Sequence, residues 1–343
     1  MSTGQFFATR FCAFRFATFF HKIAPQKTAG YMGVRSQNPM NDPEYTFSFK
    51  LKPKEPLSVF VLEVGGYSLP CFINASILLL DRNVLSNIRN ILSKGNHRDN
   101  VANSWWFSFL NSPSISLNPA LSAMEGRNQK TPTYDEFCTE FDRDRITLEE
   151  FFPETQTLKY SDIHYRAAYE LVEAGVAGYK DDLNFLLEAI PLITNRNPAH
   201  KLRDIESRLF EVAKSNNIKK LAFPLIACLS CLYESSTSTL KSNGRSILKP
   251  KPNYTSSMAH NALMDLSSLS MLLQANSKLN SKIGLCTSDK GLVKFWCDLQ
   301  TNTHGKSTSS GFEVTLELTT NMFQLLNKQG VLDLKSRIEA YNF

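Results

Sequence analysis

The stretch SILLLDRNVLSNI, residues 76–88, constrains the fold more than any other. Four consecutive apolar residues, Ile77 to Leu80, run into Asp81, Arg82 and Asn83, and apolar positions return at Val84, Leu85 and Ile88. A short continuous apolar run predicts a strand buried on both faces, and the spacing after it predicts a helix. Asp81 then stands at the carboxyl end of a buried strand, which in an open α/β sheet is the edge where ligands bind. The local alternative is that Asp81 or Asn83 caps the helix that follows. Acids arriving elsewhere in similar settings bear on the choice.

A second unit of this kind is KIGLCTSDKGLVKFW at 282–296, which reads as a strand, a turn carrying Asp289, and a helix. It is preceded by SSMAHNALMDLSSLSMLLQANSK, an amphipathic helix with Asp265 among Leu263, Met264, Leu266 and Leu269. Parallel strands bring their carboxyl ends to one edge, so Asp81 and Asp289 are expected together despite their separation in sequence. In LNPALSAMEGRNQKTPTYDEF, 117–137, Pro119 suits the start of a short helix and Gly126 its end, which leaves Glu125 just before a loop. Thr133 with Glu136 predicts a capping box opening the next helix.

Between 145 and 235 the apolar residues recur at three and four, which predicts a mostly helical region. From Tyr45 to Phe72 the chain reads as extended, with two strands around Gly65 and Gly66. The expected partition is an N-terminal extension at 1–40, a small N-terminal β element at 41–72, and the first part of an α/β domain at 73–144. A helical insertion follows at 145–235, then the second part of the domain at 236–343, ending in one more strand and two helices. Strands alternating with helices in this order predict a mostly parallel sheet covered on both faces.

The 343 residues suffice for a large core, and 42% hydrophobic with 20% charged residues is a globular composition. A net charge of +6 permits a polyanionic partner without requiring one. Seven cysteines scattered through the chain do not make a disulfide framework, so a reducing compartment, the cytoplasm, is expected. LAFPLIACLSCLY at 221–233 is too short for a membrane span and contains Pro224, which predicts a buried helix. Residues 1–41 contain no Asp or Glu and carry Arg10, Arg15, Lys22, Lys27 and Arg35 among many Phe. They read either as an organelle-targeting peptide or as translation starting upstream of Met32 or Met40.

The blocks LLLDRNVLSNI, AMEGR, NALMDLSSL and CTSDKGLVKFW together resemble the four acidic blocks of the PIN domain nucleases. The resemblance implies a three-layer α/β/α, Rossmann-like fold and cleavage of RNA, with single-stranded DNA as a further substrate, using two Mg²⁺ or Mn²⁺ ions. It implies Asp81, Glu125, Asp265 and Asp289 as catalytic metal ligands, with Asn83 and Thr287 holding them by hydrogen bonds. Asp135, Glu136 and Glu140 lie close enough to Glu125 to compete for its place. Carboxylates suit such chemistry because hydrolysis of a phosphodiester builds negative charge that hard cations neutralise. The chain departs from the family at Arg82, where a small hydroxyl residue is usual. Many members are toxins restrained by an antitoxin, or defence effectors, which implies a regulatory protein partner.

Other features have competing readings. Arg82, Lys241, Arg245, Lys249, Lys251 and Lys290 are candidates for contacts to nucleic-acid phosphates, with Tyr254 available for stacking on a base; a solvated loop is the alternative for 241–251. Cys228 and Cys231 form a lone CxxC and read as core. His260 reads as solvent-facing or hydrogen-bonded, and Trp105 with Trp106 as packing contacts. Two other functions fit parts of the pattern. An inactive PIN-like module would bind RNA or a protein through its helical insertion. A phosphatase of the haloacid dehalogenase type would want a second Asp where Asn83 stands.

Overall fold

Strand β3 (Ile77–Leu80) and strand β6 (Ile283–Thr287) lie side by side and parallel, with Ile77 opposite Ile283 and Leu80 opposite Cys286. The ladder continues one step further through Asp81 N donating to Cys286 O at 3.0 Å. This register puts Asp81 level with Thr287, so two segments about 200 residues apart end at one height. The computed structural model describes residues 53–95, 98–126, 130–219, 222–235, 241–278, 282–299, 301–302, 307–308, 311–312 and 315–341. Contacts divide the chain into two units, Met1–Lys54 and Glu55–Phe343, and the fold is that of the second. The 1–40 extension and the alternating stretch at 45–52 lie outside the described residues.

Four further strands complete the main sheet: β1 (Phe60–Glu63), β2 (Gly66–Ser68), β4 (Ser116–Asn118) and β5 (Gln156–Thr157). The order is β2-β1-β6-β3-β4-β5. The pairings β6–β3, β3–β4 and β4–β5 are parallel, whereas β2–β1 and β1–β6 are antiparallel. The sheet is therefore mixed. The β1–β2 hairpin, expected as a separate element ahead of the sheet, is one flank of it because β1 pairs directly with β6. Trp296 fastens the hairpin by donating its indole N–H to Glu63 O and Gly66 O, both at 2.8 Å.

Alternation along the strands builds two cores. Phe60, Leu62, Leu79, Ile283 and Leu285 face one side and join a large cluster from the helices Asp162–Ile193, Leu202–Ser215, Phe223–Leu232, Asn243–Leu248, Ser256–Lys278, Lys290–Asp298 and Lys328–Ala340. Val59, Val61, Leu78, Leu80, Leu117 and Cys286 face the other and pack with the helices Arg82–Lys94 and Arg98–Phe107 and with Leu148. The result is an α/β fold with helices on both faces of a six-stranded sheet. Trp106 belongs to the second core and donates to Pro56 O. Among the described residues, no helix is long and apolar enough to cross a membrane.

Several local signals act as the sequence predicts. Pro119 precedes the helix Ala120–Met124, Gly126 follows it at φ +65°, and Thr133 with Glu136 forms both bonds of a capping box. Every residue of Phe223–Leu232 is buried, including Cys228 and Cys231. Elsewhere the chain differs from expectation. The final stretch forms residue pairs in two separate two-stranded ladders, Thr301–Asn302 with Thr315–Leu316 and Ser307–Thr308 with Gly311–Phe312, instead of one longer strand. One helix, Lys328–Ala340, follows where two were expected. Turns hold Met322 and Phe323 in the core, and Ser230 donates its hydroxyl to Met322 O.

Candidate functional site

Asp81 begins the helix Arg82–Lys94, yet its carboxylate makes no capping hydrogen bond. It faces β6 instead: Asp81 Oδ2 accepts from Thr287 Oγ1 and from Asn83 Nδ2, each at 2.6 Å. The fully buried Thr287 hydroxyl also accepts from the Asp289 amide at 3.1 Å, while Asn83 Oδ1 accepts from the Ser288 amide at 3.0 Å. Asn87 adds a bond from Nδ2 to Ser288 Oγ at 3.3 Å. Two chain crossings at the carboxyl edge are thus stitched by side chains, with Thr287 donating one way and accepting the other.

Asp289 behaves differently. Its Oδ1 accepts from the amides of Gly291 at 2.6 Å and Leu292 at 3.0 Å, so it caps the helix Lys290–Asp298 as the local reading has it. Asp265 reaches the same edge by helix geometry. The helix Ser256–Lys278 runs back along β6, and Asp265 lies about 20 Å from its carboxyl end at ~1.5 Å per residue, roughly the height of a five-residue strand. Glu125 arrives from β4 through the short helix Ala120–Met124.

The four acids act on one another. Burial raises the Asp81 carboxyl above its ordinary range, the Thr287 hydroxyl and the Asn83 amide resist, and the Asp289 charge raises it further. Asp265 is pushed well up by burial and then by Asp81 and Asp289, against the opposing charge of Lys249. Glu125 is pushed to about 8 by burial and Asp81, with Arg82 opposing. Two of the three rival acids near Glu125 are engaged elsewhere: Glu136 receives the Thr133 amide in the capping box and Glu140 pairs with Arg143.

Arg82 does not point to solvent alone. Its Nη1 donates to Gly126 O and lies 3.7 Å from Glu125 Oε2. Beside Asp289 opens a cleft of about 870 Å³ lined by Lys241, Arg245, Lys249, Lys290 and Lys294 with Ser246, Ser288 and Gly291. Of these cations, Arg245 is fully committed. Its Nε donates to Glu234 Oε2 at 2.6 Å, and Nη1 and Nη2 donate to Thr194 O and Ile193 O at 3.1 Å, neutralising the end of the helix Asp162–Ile193. Lys249 takes a left-handed conformation at φ 48° and ends the helix Asn243–Leu248. That helix packs tightly enough on Phe223–Leu232 that a Cβ on Gly244 would lie 2.0 Å from Ala227 O. Lys251 is exposed and stands outside the cleft lining.

Lys294 was not among the sequence candidates. The signal was its four-residue spacing from Lys290, which puts both on one side of the helix. A lysine at the first position of a helix is poorly placed against the helix dipole, so Lys290 has no local stabilising reason to be there. Tyr254, a candidate for stacking, instead packs against the large core with its hydroxyl buried. His260 is buried and bonded through Nδ1 to the Tyr179 hydroxyl at 2.5 Å.

The donor set at the edge is oxygen throughout, which suits a hard divalent cation, and the mutual repulsion of the acids is what such a cation relieves. Among the described residues, no three His, Cys, Asp or Glu side chains are grouped so as to hold a metal ion; the acids share a field without closing on a common point. In comparisons with models of known families, with curated proteins and with solved structures, nothing matches this chain.

Proposed function

We propose that this chain is a PIN-like, Mg²⁺- or Mn²⁺-dependent nuclease acting on RNA. The observation that carries the reading is the stitched carboxyl edge: Asp81, Asn83, Thr287 and Asp289 joined across β3 and β6, with Asp265 and Glu125 brought within their field. Asp81, Asp265 and Asp289 would hold the cation. When bound, it would neutralise charge developing on the phosphate and lower the pKa of attacking water. Thr287 and Asn83 fix Asp81 Oδ2, leaving Oδ1 for this role, and the amides of Gly291 and Leu292 fix Asp289 through Oδ1. Lys241, Lys249, Lys290 and Lys294 line a path on which a phosphate backbone can lie beside Asp289.

The test is cleavage of end-labelled RNAs and single-stranded DNAs by the full chain with Mn²⁺, Mg²⁺ or EDTA, beside Asp81→Asn and Asp289→Asn. Metal-dependent cutting that falls at least about a hundredfold in both variants is expected. Equal cutting by the variants, or none by the wild type, refutes it. A second reading rests on the Arg82–Glu125 contact: a PIN-like fold whose edge has lost catalysis and serves binding alone. An inert wild type that still binds RNA would support that one.

A further inference from the structure

The cleft beside Asp289 is formed by two helices that pass each other in opposite directions. Near one end Lys294 Nζ donates to Lys241 O at 3.0 Å, and in the middle a Cβ on Gly291 would lie 3.1 Å from both Cβ and O of Ser246. Glycine at 291 lets the two backbones approach that closely. Lysines stand around this contact. Lys290 and Lys294 are about 6 Å apart along their helix, while Lys241 and Lys249 flank the six-residue helix Asn243–Leu248, about 9 Å long. Lys249 keeps a cation there at φ 48°, a left-handed conformation that glycine would take without strain.

The other donors at this place are spent within the fold. Arg245 is held by Glu234 and two helix-end carbonyls, the amides of Gly291 and Leu292 by Asp289, and the Ser246 hydroxyl donates to Ser242 O at 3.1 Å. Four lysines are left beside one acid, Asp289, in a space of about 870 Å³, the size of a small-ligand pocket. A long backbone is tracked by cations spread along it; here they are gathered within the length of about two or three stacked nucleotides. A lysine is a compact point charge, and a terminal phosphate monoester offers it about two negative charges and three free oxygens near neutral pH. A diester inside a strand offers about one charge. We propose that this cleft seats the phosphate monoester at the end of a nucleic-acid strand, so that the strand is engaged from its terminus. Ser288 lines the cleft and its amide donates to Asn83 Oδ1, which puts the seated phosphate beside the acid edge. The inference rests on the nucleic-acid reading above and needs no metal ion.

The test is equilibrium binding to the full chain in EDTA, read by fluorescence anisotropy. The probes are single-stranded RNAs of one sequence, about ten nucleotides long and labelled at an internal base, ending in a 5′-phosphate, a 3′-phosphate or hydroxyls alone, with adenosine monophosphate as a competitor. One of the phosphate-ended strands is expected to bind at least about fivefold more tightly than the hydroxyl-ended strand, and more tightly than the mononucleotide. Lys290→Ala/Lys294→Ala, shown to be folded by circular dichroism, should bind both kinds of strand equally. Lys201→Ala/Lys214→Ala removes the same charge outside the cleft lining and should keep the preference. Equal binding of all strands by the wild type, or a preference that survives in Lys290→Ala/Lys294→Ala, overturns the inference and leaves the nuclease reading standing. Binding of the mononucleotide with no strand bound makes the cleft a small-ligand site and overturns it as well. No binding of any probe removes the nucleic-acid reading and this inference together.

Discussion

Two regions of the molecule bury carboxylates and treat them in opposite ways. On the helical side, Glu234 receives Arg245 Nε at 2.6 Å, Arg196 Nε at 3.2 Å and the Ser242 amide at 2.8 Å. Burial alone would raise its pKa, but the amide and the two guanidiniums bring it below the ordinary carboxylate range. Glu206, equally buried, is gripped by Nε and Nη2 of Arg337, by Arg203 and by the Tyr233 hydroxyl. At the carboxyl edge of the sheet, Asp81, Asp265 and Glu125 are all raised, first by burial and then by the acids beside them, with fewer cations to oppose both. A structural carboxylate is surrounded until its charge is fully answered. Asp81 and Asp289 at the edge are held in place by uncharged groups, Thr287, Asn83 and backbone amides, with the charge left over.

The largest contrast is expected from removing one acid of each kind. Glu234→Ala strands Arg245 and Arg196 around an empty position and should cost about 3–5 kcal/mol in chemical denaturation. Asp265→Asn relieves repulsion and should leave the metal-free chain as stable as the wild type, or about 1 kcal/mol more so. A comparable loss at both positions would erase the distinction.

Acid and base separate the regions next. An edge acid raised in the folded state binds its proton more readily there than in the unfolded chain. Metal-free stability should therefore fall as pH rises from the ordinary carboxylate range, near 4.5, through the value of about 8 for Glu125. Glu234 has the opposite sign: its contribution is present above the unfolded pKa and is lost as pH falls through its lowered folded value. Thermal midpoints measured in EDTA from pH 5 to 8.5 should decline by a few degrees in the wild type and by less in Glu125→Gln. A flat profile in both would show that neither burial nor the neighbouring acids raise the edge carboxyls.

The smallest effect concerns the cleft beside Asp289. Lys290→Ala/Lys294→Ala should weaken RNA binding several-fold and reduce its salt dependence by one to two ion equivalents at most. Stability should stay within about 0.5 kcal/mol of the wild type, since neither lysine is buried. Arg245→Ala should do the reverse, because its donors are spent on Glu234 and two helix-end carbonyls.

Much of this edge could be read from the chain because its signals are local. Ile77–Leu80 is a continuous apolar run that meets an acid at once, and Ile283–Cys286 is a second run that reaches Asp289 after Thr287 and Ser288; helical spacing follows each, and both become parallel neighbours in the sheet. The capping box at Thr133 and the stop at Gly126 are equally local. Strands β4 and β5 left no periodic signal because they are three and two residues long, and their pairing comes from position beside β3 rather than from propensity. The commitment of Arg245 was also unreadable. It depends on Glu234 and the end of the helix Asp162–Ile193 arriving together, contacts that span 11 and about 50 residues. Charge at a loop position says that a cation is present and leaves open what it is spent on.

Strand β6 lies between β1 and β3, although it is the last strand of the main sheet to appear in the chain. Until residues 283–287 have been synthesised, β1 and β3 have no common neighbour and both carry an unpaired inner edge. The centre of the sheet is therefore filled last, by a segment more than 200 residues from either partner, and long-range pairing of this kind slows folding. The same strand brings Thr287, Ser288 and Asp289 to Asp81 and Asn83, so the acid edge cannot exist in a partly made chain. Completion of the main sheet and assembly of the site are one event.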